Sequence, residues 1–160
     1  MVVSNTSPLM NLAIIGRLDL LRHFYETIYV PEAVWNELII QGAGKPGSEA
    51  IASESWIKLH AVQNRHLVTA LREHLDSGEA ETIALALERQ AILILLDETE
   101  GRRVAASYGL VKTGVLGILL QAKSHGIISS LKAEMEKLQR EAHFWISPPL
   151  FEKLLRSVGE

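Results

Sequence analysis

The chain has 160 residues, 48% apolar and 22% charged, with a formal net charge of −3 and no cysteine. That length suits one domain with a real core, disulfides and thiolate metal sites are excluded, and no stretch approaches the roughly 18 uninterrupted apolar residues of a membrane helix. The charge gives no overall attraction to nucleic acid, so any such contact has to come from a local basic patch.

The start has no basic segment ahead of an apolar run, which predicts no signal peptide and a cytoplasmic protein. Val2-Val3 suits a short buried strand. Ser4 to Ser7 is a polar tip that cannot extend it, and Pro8 falls in the first turn of a helix carrying Leu9, Leu12 and Ile15. Gly16 stops that helix, and the apolar spacing of Arg17 to Phe24 predicts a second. Thr27 to Val30 reads as a strand, and Pro31 opens a helix with Val34, Trp35 and Leu38 on its apolar face and Glu37 at the edge of that stripe. Gln41 to Ser48 is a Gly- and Pro-rich loop. A weak helix (Glu49 to Ser55) and a partly exposed strand (Trp56 to Val62) follow.

Leu67 to Leu75 has helical spacing. Asp76-Ser77-Gly78-Glu79 opens another helix, whose buried face is Ala80, Ile83, Ala84 and Leu87. Ala91 to Leu96 is continuously apolar and reads as a central strand covered on both faces. It ends at Asp97-Glu98, and a helix with Gly101, Arg102 and Arg103 in its first turns comes next. Leu110 to Lys112 is a short strand, and Thr113-Gly114 leads into an apolar helix ending near Gly126. Residues 129–142 form an amphipathic helix. Phe144 to Ser147 reads as a last edge strand before Pro148-Pro149 and a short terminal helix. Strands alternating with helices predict an α/β fold: a three-layer sandwich with a mainly parallel central sheet and helices on both faces. The expected organisation is a single domain over 1–160, with a core of about 2–126 and a helical extension of about 127–160.

Polar tips follow several of these strands, and open parallel sheets bind ligands at the carboxyl ends of their strands. Four residues are candidates to meet there: Asn5, Glu37, Glu79 and Asp97. Such oxygen donors suit Mg²⁺ or Mn²⁺, and those ions activate water at phosphate esters. Each residue has a competing structural role. Asn5 and Asp97 are turn or cap residues, Glu79 suits a helix N-terminus, and Glu37 suits a solvated face. The six histidines share no metal-ligand spacing, no Ser/His triad is evident, and no Gly-rich phosphate loop supports a generic nucleotide binder.

Five stretches, in order, resemble the PIN domain. They are Val2 to Leu9, Val30-Pro31 to Leu38, Gly78-Glu79-Ala80-Glu81-Thr82 to Ala86, Leu95-Leu96-Asp97-Glu98 to Ala105, and Thr113-Gly114-Val115-Leu116-Gly117. They look most like its branch of small prokaryotic proteins related to VapC-type toxins. The resemblance implies a metal-dependent ribonuclease whose acids fall on Asn5, Glu37, Glu79 and Asp97, with Glu98 as an adjunct ligand and Mg²⁺ or Mn²⁺ as cofactor. It also implies RNA as substrate, contacts from Thr6, Ser7 and Thr113, a possible antitoxin partner and a homodimer, with no membrane association. Arg102 and Arg103 follow the Asp97 tip by about one turn, where they would either reach a phosphate or neutralise the acidic cluster. Two departures stand out: an amide at Asn5 where the family has an acid, and Glu79 where many members have Asp. Both weaken or shift the site, so a catalytically degenerate module that binds RNA or protein is the alternative. Lys112 and Lys123 would extend a basic rim, and Trp35, Trp56 and Trp145 would stack bases or fill core.

Overall fold

A computed structural model describes residues 1–160. Five strands make its sheet: β1 (Val2–Ser4), β2 (Ile28–Val30), β3 (Ile57–Leu59), β4 (Leu93–Leu95) and β5 (Lys112–Thr113). They are all parallel and run in the order β3-β2-β1-β4-β5. Ten helices connect and flank them: α1 (Thr6–Ile14), α2 (Asp19–Tyr25), α3 (Glu32–Trp35), α4 (Ser48–Ala52), α5 (Arg65–Leu71), α6 (Ser77–Glu88), α7 (Thr99–Ser107), α8 (Val115–Ser124), α9 (Leu131–Glu141) and α10 (Pro148–Ser157).

Side chains alternate across each strand, so the sheet divides the apolar residues into two cores. Val2, Ile28, Val30 and Leu95 face a core with Leu9 and Leu12 of α1, Ile118 of α8 and Leu138 of α9. Val3 and Ile94 face the other, with Val68 of α5, Ile83 and Ala84 of α6 and Ala105 of α7. This is the expected α/β sandwich, with the sheet wholly parallel. No helix is long and apolar enough to cross a membrane.

The strand order places the chemistry. From β1 the chain moves outward to β2 and β3, then returns to the other side of β1 for β4 and β5. The reversal lies between β1 and β4, whose register pairs Val2 with Leu93, Val3 with Ile94 and Ser4 with Leu95. Asn5 N–H donates to Leu95 O at 2.9 Å. Asn5 and Asp97 therefore leave the sheet side by side at its topological switch point, where such folds open a crevice.

Three expectations are corrected. Phe144 to Ser147 is not a strand. His143 takes a left-handed φ of 54° and Phe144 N–H closes α9 on Leu138 O, which uses the donor a strand would need. The helix expected over Leu67 to Leu75 begins two residues earlier and ends at Leu71. Its cap is Asn64, whose side chain accepts Leu67 N–H at 3.1 Å. The helix after Pro31 does not stay α-helical. From Asn36 to Ile40 it widens into a π-helical turn that carries Glu37. Ser48 Oγ donates to Leu38 O at 2.8 Å and so satisfies a carbonyl within that turn.

Candidate active site

Each of the four candidates reaches the carboxyl edge from a different element, and in three of them the competing structural role fails. Asn5 precedes α1 but makes no side-chain cap. It is 3% exposed, and its Nδ2 donates to Glu98 Oε2 at 3.1 Å. Its Oδ1 is buried with no hydrogen-bond partner. Glu37 is half-buried rather than solvated, and Thr6 Oγ1 donates to its Oε2. Asp97 does not cap its own helix, since Glu98 holds that position. Asp97 instead accepts Val115 N–H at Oδ1 (2.8 Å), which ties the β4 tip to the first residue of α8, and Ser7 Oγ at Oδ2 (3.1 Å). Asn11 Nδ2 donates to Ser7 Oγ at 3.0 Å, so that hydroxyl is held from both sides.

Glu79 keeps its structural role as well. Its N–H donates to Asp76 Oδ1 at 2.8 Å and Asp76 N–H donates to its Oε2 at 3.0 Å, a complete capping box. Its other oxygen, Oε1, lies 3.3 Å from where a Cβ on Gly101 would be. Gly78 leaves the decisive gap. A Cβ there would meet Glu37 Oε1 at 2.7 Å and Asn5 Oδ1 at 3.1 Å. Two oxygens from distant parts of the chain thus converge on the one residue that leaves room for them.

Burial and crowding act on these acids together. Burial pushes Asp97 up to about 6 from its ordinary 3.8, against the hydrogen bonds from Val115 N–H and Ser7 that pull it down. Burial also raises Glu37, opposed by the Thr6 hydroxyl and reinforced by the charges of Asp76, Glu98 and Glu81. Glu79 rises for the same first reason, with Asp76, Glu98 and Glu37 adding repulsion. A carboxyl whose folded pKa exceeds its unfolded value binds its proton more tightly when folded. Its stabilisation is full below about pH 4 and is lost as pH rises to about 6. For Asp97 the step from 3.8 to about 6 corresponds to at most about 3 kcal/mol. Asp97→Asn is therefore expected to flatten the fall in stability between about pH 4 and pH 7, read from denaturant melts in EDTA.

No three of the acids, and no histidine, stand at ligand spacing around one point. What the edge offers a hard cation is the orphaned Asn5 Oδ1, aimed with Glu37 Oε1 at Gly78, with Glu98 held against the same Asn5 side chain. A buried acceptor without a donor needs a partner, and an all-oxygen donor set fits Mg²⁺ or Mn²⁺.

The remaining candidates separate. Arg102 Nη1 donates to Leu96 O at 2.9 Å and borders Asp97. Arg103 turns away to Glu100, Nη2 to Oε1 at 2.6 Å, on the exposed side of α7. Lys123 bonds Ser129 O and Glu160 far from the edge, whereas Lys112 lines a cleft beside Asp97 and Thr113. Thr6 and Ser7 each donate to a carboxylate. Trp56 is buried, Trp35 is half-buried, and Trp145 is exposed. Sequence reasoning missed Asp76, Gly78 and Gly114. The Asp76-to-Glu79 spacing was the readable signal for the first. The two glycines were inside quoted motifs, but their neighbours are tertiary.

Gly114 gives a direct test of the packing. Its backbone is extended, open to any residue, yet a Cβ there would overlap Asp97 Oδ1 and press on Arg102. Gly114→Ala is expected to cost about 1–3 kcal/mol of stability in a denaturant melt, as overpacking does.

A family model described as a PIN domain (DUF3368) matches residues 1–160 of the chain. No curated protein and no solved structure matches it.

Proposed function

The chain belongs to the PIN-domain family, and from that premise we propose that it is a divalent-metal-dependent ribonuclease, toxin-like, that hydrolyses RNA phosphodiesters. PIN domains are generally nucleases that use divalent metals. The observation that carries the reading here is the buried, unpartnered Asn5 Oδ1 converging with Glu37 Oε1 on Gly78, beside Glu79, Asp97 and Glu98. Mg²⁺ typically takes one or two carboxylates and keeps its waters, so the reading needs no preformed three-acid cage.

Asn5 and Glu37 would hold the cation, with Glu79, Asp97 and Glu98 acting directly or through water. When bound, the cation polarises a phosphate oxygen and lowers the pKa of a water for in-line attack. The chain's own residues set the stage. Thr6 fixes the Glu37 carboxylate, while Ser7 and Val115 N–H fix Asp97. Arg102, beside Asp97, faces the RNA phosphate, and Thr113 lies next to it. Crowded carboxylates with raised pKa values repel one another until a cation enters, so the edge is arranged for positive charge. A cytoplasmic homodimer restrained by an antitoxin protein completes the proposal.

The test is cleavage of a mixed single-stranded RNA by the purified chain with Mn²⁺, with EDTA and with Glu37→Gln as controls. Cleavage that needs both Mn²⁺ and Glu37 is the expected result. RNA left intact by the parent would favour the second reading, a degenerate module that binds RNA or protein. The hydrogen bond from Asn5 Nδ2 to Glu98 supports that reading, because it knits the edge together without a cation.

A further inference from the structure

A second feature borders the acidic edge. A cavity of about 460 Å³ opens between β5, the start of α8 and the segment leading into α10. Asp97, Arg102 and Thr113 are among its lining residues, so it adjoins the candidate active site. The C-terminal segment also lines it, through Phe144 and Trp145. Trp145 is 78% exposed, the most exposed large apolar side chain of the molecule. A tryptophan left in water at the mouth of a cleft has a π-face free for a ligand.

The charge of the cleft is the second observation. Lys112 lines it and makes no ion pair or side-chain hydrogen bond within the chain. Arg102 lines it too, with one bond to a backbone carbonyl and no carboxylate within ion-pair distance. The chain as a whole is acidic, at −3, yet here two cations, against the single carboxylate of Asp97, stand beside two aromatic rings. Cations that track phosphates, interleaved with rings that stack bases, are the recognition chemistry of single-stranded nucleic acid. A peptide partner would be expected to meet an uncharged apolar groove or a matched set of acids. The phosphate-and-base combination favours RNA.

We propose that this cleft is a single-stranded RNA subsite, in which Trp145 stacks the base of a nucleotide flanking the scissile phosphate while Lys112 and Arg102 hold the adjoining phosphates. The proposal rests on the nuclease reading of the acidic edge and deepens it by assigning the substrate strand a path. That path runs from the carboxylates at Asp97, past Arg102 and Thr113, to the C-terminal segment. The C-terminal segment is thereby part of the substrate surface rather than an appendage. Single strands are favoured over duplexes, because a base inside a duplex is stacked on both neighbours and has no free face to offer Trp145.

The test is binding in EDTA, where no cleavage competes, followed by fluorescence anisotropy of labelled hexaadenylate and of an abasic hexamer with the same phosphates. The parent is expected to bind hexaadenylate about tenfold or more tightly than the abasic strand, the scale of one stacked base. Trp145→Ala should remove that preference and leave abasic binding unchanged, and Trp145→Phe should restore much of it. Lys112→Ala should weaken both strands alike and reduce the salt dependence by about one phosphate contact. Equal binding of both strands by the parent, or a loss in Trp145→Ala that is the same for both, would overturn the proposal. So would a parent that binds no RNA but whose Trp145 is covered by a protein partner. Because the readout is binding, a chain that fails to cleave RNA yet shows the base preference refutes the nuclease reading alone. A chain that cleaves RNA without the preference refutes the subsite alone.

Discussion

Replacing Asp97 with Asn is expected to abolish RNA cleavage while making the metal-free protein more stable at neutral pH. The two effects have one cause. Asp97 is mostly buried between β4 and α8, and its carboxyl is pushed up to about 6. Near pH 7.5 it is ionised at a desolvation cost that the Val115 and Ser7 hydrogen bonds only partly offset. Asparagine has the same shape, keeps an oxygen for Val115 N–H, and can donate its amide to the Ser7 oxygen. It removes the buried charge and with it the crowding against Glu98. Stability at about pH 7.5 should rise by about 1–3 kcal/mol, below the full Asp97 linkage. Cleavage in Mn²⁺ should fall about a hundredfold or more, because a cation interaction worth several kcal/mol at the transition state is lost. Melts and initial rates on the same preparations check both halves. A residue that served only to hold the fold would show the opposite pattern, with stability and activity falling together.

Restoring the acid at position 5 should have an equally large and opposite signature. In Asn5→Asp the Nδ2–H donor to Glu98 is gone, and a carboxylate takes its place against Glu98 and Glu37. Position 5 is 3% exposed, so in EDTA the new charge is buried without a partner. The metal-free variant is expected to lose about 3 kcal/mol at neutral pH, or roughly 6–12 °C in Tm for a chain of this size. Saturating Mn²⁺ should return most of that loss, since the cation binds only the folded form. Cleavage should rise above the parent. The Tm difference with and without Mn²⁺ is the diagnostic measurement. A variant destabilised equally in both conditions would show that the edge repels acids without gathering them around a cation.

These expectations depend on how much of the site could be read before the fold was known. Asn5 and Asp97 were legible because each ends an apolar strand with a polar residue, and a parallel sheet brings such tips to one edge. Glu37 was legible as a position, but its presentation was not. The π-helical turn that carries it involves a hydrogen bond from Ser48, across a loop whose path no local pattern specifies. Glu81 shows the same limit. It lies outside the predicted buried face of Ala80, Ile83, Ala84 and Leu87, yet it is 4% exposed. It accepts Ala33 N–H at 2.8 Å from a residue 48 positions away, and it pairs with Arg65 at 2.8 Å. A buried carboxylate is stable only with such partners, and periodicity carries no information about them. Phe144 to Ser147 failed for a different reason. Its short apolar run suits an edge strand, but the left-handed turn at His143 ends α9 first and leaves Trp145 in solvent.

The central claim is that the carboxyl edge between β1 and β4 is a divalent-metal site. It is tested most directly by calorimetric titration of Mn²⁺ into the parent and into Asp97→Asn, at neutral pH and without RNA. The account predicts a binding isotherm for the parent that is lost or much weakened in the variant, with the variant still folded. No heat from the parent at millimolar Mn²⁺, or the same isotherm for both proteins, would contradict it.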